Sequence, residues 1–202
     1  MKSDPSSVDK PPAAGRPRDR RIDAAILTAT ADLLVEIGYV NVTMAAIADR
    51  AGTTKTALYR RWSSKAELVH EAAFPAVTTA LAVPAGDIAA DVRAMIAAAR
   101  DVFASTLVRA ALPGLIADMA ADAALNARVM GRFTGVFAAV RERVVDAVDR
   151  GEVHADVDPD RLVEVIGGAT LLRMLLRPDE PLGDDWVRDT SAIVVHGVRR
   201  QD

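Results

Sequence analysis

Apolar residues recur three and four positions apart along most of this chain, and no segment alternates apolar with polar residues. A period near 3.6 marks helices that bury one face, and the missing period of two argues against sheets. Composition points the same way. Half of the 202 residues are hydrophobic but only 4% are aromatic, so Ala, Val and Leu build most of the core, which favours helix over a β-sandwich. The expected fold is all-α. Charged residues at 26% give an ordinary globular balance. No apolar run reaches the roughly 18 residues that span a bilayer. The N-terminal stretch up to Arg21 lacks the apolar segment of a signal peptide, so a cytoplasmic location is expected. The absence of cysteine excludes disulfides, thiolate metal sites and thiol nucleophiles.

Breaks in the pattern predict about nine helices. Residues 1–15, rich in Pro, Ser, Ala and Asp, read as a disordered tail. A first helix over 20–37 carries Ile22, Ile26, Ala29, Leu33 and Ile37 and is ended by Gly38. Thr43 caps a second over 44–51, which Gly52 stops, and a third runs from Thr53 or Thr54 to Arg61. Ser64-Lys65-Ala66-Glu67 reads as a capping box opening a fourth helix, which Pro75 should kink or end. A turn at Pro84 to Asp87 follows. Helices are then expected over 87–105, over 107–121 with an interruption at Pro113-Gly114, and over 123–150 as one long element. That long element carries the stripe Val129, Phe133, Val136, Phe137, Val140, Val144 and Val148. Asp158 and Pro159 open the eighth helix, which ends at Arg177, and Asp184 and Asp185 open the last, to about Val198.

Charge is unevenly distributed. Residues 1–70 carry 11 Lys/Arg against 8 Asp/Glu, and the remainder carry 14 against 20. The positive part holds two tight clusters, Arg16/Arg18/Arg20/Arg21 and Arg60/Arg61/Lys65. An acidic body with a basic end suits a protein that presents that end to a polyanion.

Residues 43–62 are the most informative segment. Two helices too short to stand alone in water flank the turn Ala51-Gly52-Thr53. Ala48 admits close approach, Gly52 supplies the positive φ of a sharp turn, and Leu58 points back to Ile47. This is helix-turn-helix spacing, although a plain packing hairpin in a bundle has it too. The outer face tips the balance: Lys55, Thr56, Tyr59, Arg60 and Arg61 offer donors with no acidic residue among them.

From Gly38-Tyr39 through Val42-Thr43, Ile47-Ala48, Ala51-Gly52, Leu58-Tyr59 and Ser64-Lys65, the stretch 21–65 resembles the DNA-binding domain of the TetR family of transcriptional regulators. The resemblance implies an N-terminal helix-turn-helix domain over 16–66 and a larger helical ligand-binding and dimerisation domain over 67–202. It implies that the third helix enters the major groove. Lys55, Thr56 and Arg60 would then face bases, while Thr43, Tyr59 and Lys65 hold phosphates and Thr54 joins the same surface. Thr43 and Lys65 each lie near a helix N-terminus, which itself attracts anions. Arg16, Arg18, Arg20 and Arg21 resemble a basic arm that follows the backbone or enters the minor groove. Relatives often carry a polar residue two positions after the one matching Thr43; here Ala45 stands, so no base contact is implied there.

The eighth helix shows apolar residues on two faces, Leu162, Val165, Ile166, Ala169 and Leu172 on one and Val163, Leu171, Met174 and Leu175 on the other. Such a helix needs partners on both sides, inside one subunit or in a second. The resemblance implies that helices eight and nine pair with their copies, through Val163, Gly167, Leu171, Met174, Val194 and Val198. Trp186, Val187 and Ile193 also lie on helix nine. Arg173, the lone charge between Ala169 and Leu176, has three readings: snorkelling to a rim, pairing with a carboxylate, or facing a ligand cavity. The Met and Phe residues read as core. A subset, Met95, Phe103, Met119, Phe133 and Phe137, together with Arg173, is the candidate lining of a pocket for a small apolar effector.

His70, His154 and His196 share no ligand spacing and read as surface residues, and no metal or cofactor is expected. No phosphate loop, nucleophile elbow or zinc-binding helix motif occurs. The function expected is a homodimeric, effector-responsive repressor bound to a palindromic operator. Two alternatives stay open, an all-helical enzyme and a structural DNA-binding protein without an inducer.

Overall fold

The computed structural model describes residues 20–74 and 86–198, the side chains of Arg20 and Val198 excepted. The tail at 1–15, Arg16 and Arg18 of the basic arm, Pro75, Pro84 and the interface role given to the Val198 side chain lie outside the described residues.

Among those residues there are ten α-helices and no strand: α1 (Arg20–Asn41), α2 (Met44–Arg50), α3 (Lys55–Tyr59), α4 (Lys65–Ala73), α5 (Ile88–Ala104), α6 (Thr106–Ala121), α7 (Ala123–Gly131), α8 (Thr134–Asp149), α9 (Pro159–Leu176) and α10 (Asp184–Val198). No single helix there is long and apolar enough to cross a membrane. Side-chain caps open most of them, from Thr43, Thr54, Ser64, Asp87, Ser105, Asp122 and Asp158. Each satisfies backbone N–H groups that a first turn leaves unpaired.

Two expected boundaries change. The element expected over 123–150 is two helices, broken at Arg132 and Phe133, where the Thr134 hydroxyl donates to the Gly131 carbonyl at 2.9 Å. The break turns Phe133 onto α4, with its ring 5.3 Å from that of His70 and 5.9 Å from that of Phe74. The interruption expected at Pro113-Gly114 is absent, and α6 runs through both. Pro113 sits on the exposed side of α6, which carries it without breaking. Gly114 faces α1: a Cβ built there would lie 2.0 Å from Cδ1 of Tyr39. Gly38 does end the first helical stretch, at φ 72, although a short helical turn continues to Asn41.

The core has two centres. One joins Ile26, Leu33 and Leu34 of α1, Ile47 of α2, Leu58 of α3 and Leu68 and Val69 of α4 to Val108, Leu112 and Leu115 of α6, Val129 of α7 and Met174 of α9. The other packs Val92 and Ile96 of α5 against Val140 and Val144 of α8, Leu162 and Ile166 of α9, and Val187 and Val194 of α10. A buried ion pair, Arg143 to Asp91 at 2.9 Å, links α5 and α8 within the second. The short helices α2 and α3 therefore rest on α1 and α4, which rest on α6.

Helix α9 obeys its 3.6 period more strictly than the sequence grouping implied. Leu162, Ile166, Thr170 and Met174 point inward, while Val165, Leu172, Leu175 and Leu176 are exposed. Met174 and Val194, expected at a subunit interface, are instead buried within the protomer, and Val163 and Leu171 are half-buried. Ile193 of α10 is 75% exposed. A Cβ at Gly167 or Gly168 would meet nothing within 4 Å among the described residues, so neither glycine serves close packing against them.

Candidate nucleic-acid interface

Three hydroxyl caps set the geometry of the basic end. The Thr43 oxygen accepts from Ala46 N at 3.1 Å, that of Thr54 from Ala57 N at 3.2 Å and that of Ser64 from Glu67 N at 3.1 Å. Each hydroxyl keeps its hydrogen for a further acceptor. Gly52, at φ 63, makes the turn between α2 and α3, which Ile47, Ala48 and Leu58 then hold together beneath. The capping box on α4 is displaced by one residue. The Glu67 carboxylate reaches past Ser64 to accept from the N and Oγ of Ser63, at 2.9 and 2.7 Å. Burial works against the Glu67 carboxylate, but those bonds and the nearby Arg132 and Arg128 hold it below the usual range.

The cations at this end divide by partner. Arg50 of α2 is held bidentate by Glu36 of α1, at 2.9 and 2.8 Å. Arg61, expected on the donor face, turns inward to Asp23 and to the Ala57 carbonyl at 3.0 Å. Lys65 donates to the Tyr39 carbonyl at 3.0 Å and lies 4.0 Å above the centre of the Tyr39 ring. Lys55 and Arg60, by contrast, are exposed and have no ion-pair partner among the described residues. Thr56 and Tyr59 are exposed beside them, Tyr59 by 56%. Arg21 lies exposed in the first turn of α1. The outer face of α3 thus presents two uncompensated cations, a hydroxyl and a phenol on a surface with no carboxylate in its own helix.

Several residues that tie this end to the rest were not visible in the sequence. Trp62 is buried and its indole N–H donates to Glu71 at 2.9 Å. Arg132, freed by the break between α7 and α8, reaches Glu71 at 2.7 Å and Glu67 at 3.5 Å. Tyr39 is buried and donates its hydroxyl to Asp118 of α6; burial and that carboxylate push its phenol well above the usual range, so it stays protonated. His70 is buried rather than on the surface, and neither ring nitrogen has a hydrogen-bond partner among the described residues. It stacks on Phe74 at 5.0 Å, and burial, reinforced by Arg132 and opposed by Glu71, lowers its pKa to about 4.

The candidate effector residues do not form one group. Met95 belongs to the second core, whereas Phe103, Met119 and Phe133 pack at the edge of the first. Phe137 is partly buried one turn beyond Phe133. Arg173 pairs with Glu180 at 2.8 Å. A cleft of about 300 Å³ lies elsewhere, between α1 and α6, lined by Ala31, Asp32, Val35, Glu36 and Leu107.

Residues 26–72 match the family profile described as bacterial regulatory proteins, tetR family, and residues 82–194 match that of the tetracyclin repressor-like C-terminal domain. The chain belongs to the TetR family. It is 34% identical to Rv1556 of Mycobacterium tuberculosis, an HTH-type transcriptional regulator, over 90% of this chain and 88% of that protein. It is 29% identical to YdeS of Bacillus subtilis, also an HTH-type transcriptional regulator, over 92% and 93%. The crystal structure of the TetR family transcription regulator SCO0332 superposes with a TM-score of 0.67 at 33% identity, covering 88% of this chain and 98% of that one. This TetR-family protein is accordingly a DNA-binding transcriptional regulator, with a helix-turn-helix made by α2 and α3.

Proposed function

We propose that the protein is a cytoplasmic, non-enzymatic repressor that binds a palindromic operator as a homodimer and releases it on binding a small apolar effector. The observation that carries the DNA reading is the outer face of α3, where Lys55 and Arg60 stand without internal partners while Arg50 and Arg61 are neutralised from α1. Lys55 and Arg60, left without an ion-pair partner among the described residues, are available to DNA. Lys55, Thr56 and Arg60 read base edges, Thr43, Thr54, Tyr59 and Lys65 hold phosphates, and Arg18 and Arg21 follow the backbone.

For the dimer we take the exposed strip Val165, Leu172, Leu175 and Leu176 of α9 with Ile193 of α10. The open space over Gly167 and Gly168 allows a second helix to approach closely there. The effector site we place at the edge of the first core, against which Phe103, Met119 and Phe133 each pack. Selection of bound fragments from genomic DNA, followed by footprinting, tests the reading. It predicts protected inverted half-sites centred about 34–36 Å apart or a multiple of that. Recovery of fragments with no shared inverted repeat would contradict it.

A further inference from the structure

Tyr39 connects the DNA-facing end to α6. It lies in the last turn of α1, and both its carbonyl and its ring hold the Lys65 ammonium, at 3.0 Å to the oxygen and 4.0 Å to the ring centre. At the far end of the same ring the hydroxyl donates to Asp118. Gly114, one turn before Asp118 on α6, leaves the ring room to lie against that helix, since a Cβ there would sit 2.0 Å from Cδ1. Asp118, Tyr39 and Lys65 are thus one chain of contacts running from α6 to the first turn of α4.

The chemistry of that chain bears on DNA. An ammonium has three donors. The Tyr39 carbonyl takes one and the ring face attracts the charge, and Lys65 remains partly exposed, with a donor left for an outside acceptor. A free lysine loses much rotamer freedom when it grips a phosphate, and one already held loses less. A phenol that donates to a carboxylate also has a more electron-rich ring, which strengthens its hold on a cation.

We infer that Asp118 is a positioning residue for DNA binding: through the Tyr39 hydroxyl it fixes the ring that holds the Lys65 ammonium ready for a phosphate. The inference rests on the reading of Lys65 as a phosphate donor. It makes α6, which carries no residue of the DNA-facing surface, a determinant of the grip on the backbone.

The test is binding of the full chain to a random-sequence duplex of about 30 base pairs across a salt series, since phosphate contacts are sequence-independent. Lys65→Ala should weaken binding and reduce the salt slope by about one. Asp118→Asn and Tyr39→Phe should each weaken binding by about two- to fivefold, the size of a partly exposed cation–π contact. Tyr39→Phe keeps the bulk of the ring in the core and removes only the hydroxyl that anchors it to Asp118, so it guards against loss of folding, which thermal unfolding of each variant monitors. In the Lys65→Ala background, Asp118→Asn should have no further effect. An equal loss from Asp118→Asn in both backgrounds, or no loss with Lys65 present, would overturn the inference while leaving Lys65 as a phosphate donor. An unchanged affinity and slope for Lys65→Ala would overturn both.

Discussion

A methyl group at position 114 has no room, because its carbon would lie 2.0 Å from the Tyr39 ring and that ring is buried. Gly114→Ala should therefore destabilise the fold by about 1–3 kcal/mol in denaturant unfolding, the usual cost of overpacking; an unchanged midpoint would mean that the ring moves freely. His70 is the second residue whose role is decided by its surroundings. Its pKa falls from 6.5 to about 4 in the folded chain, chiefly by burial among Phe74 and Phe133, with Arg132 adding to the effect and Glu71 opposing it. Between those two values the unfolded chain holds a proton that the native one lacks, so stability falls as pH drops from about 6.5 towards about 4, then levels off. The slope is at most about 1.4 kcal/mol per pH unit. His70→Leu should remove this component and, by deleting an unsatisfied buried polar group, raise stability at acid pH by about 1 kcal/mol or more. An unaltered acid slope in that variant would assign the effect to other groups. Neither role was legible in the sequence. A lone histidine carries no period, and Pro113-Gly114 reads as a helix break until the ring opposite Gly114 is known.

Elements with capping signals were the easiest to read. Thr43, Ser64 and the pair Thr53-Thr54 were legible as starts because a hydroxyl just before an apolar-periodic run has a defined job, and Thr43, Thr54 and Ser64 make the backbone bonds. α3 has only five residues and depends on its cap. Thr54→Ala should cost about 1 kcal/mol of global stability in chemical unfolding and weaken DNA binding, because the recognition element itself frays. A loss of DNA affinity with no loss of stability would instead make Thr54 purely a DNA contact. The break between α7 and α8 was not legible: the apolar stripe continues across Arg132 and Phe133, whereas the contacts made at the break, of Phe133 with His70 and Phe74 and of Arg132 with Glu71, are with residues distant along the chain. Arg61 shows the same limit on the DNA face. It sits among donors in the sequence, yet Asp23, far away along the chain, holds it.

At the scale of the molecule, fold class and the position of the helix-turn-helix were legible from period, turn chemistry and charge asymmetry. The sharing of one core by α1 to α4 with α6, α7 and α9 was not, because it depends on contacts between distant segments. The exposed strip on α9 and α10 gives the quaternary prediction. Sedimentation at micromolar concentration should show a dimer, and Leu172→Asp, at a position 56% exposed in the protomer, should raise the dissociation constant at least about tenfold without altering helix content. A dimer indifferent to that change would place the interface elsewhere. The central claim, that the outer face of α3 reads base sequence, is tested most directly by the affinity of Lys55→Ala for operator and for random DNA across a salt series. The account predicts a loss of about 1–3 kcal/mol on the operator, a smaller loss on random DNA, and relaxed preference at one base position in each half-site. A parallel loss on both, with the salt slope reduced by about one, would make Lys55 a phosphate contact and contradict the claim.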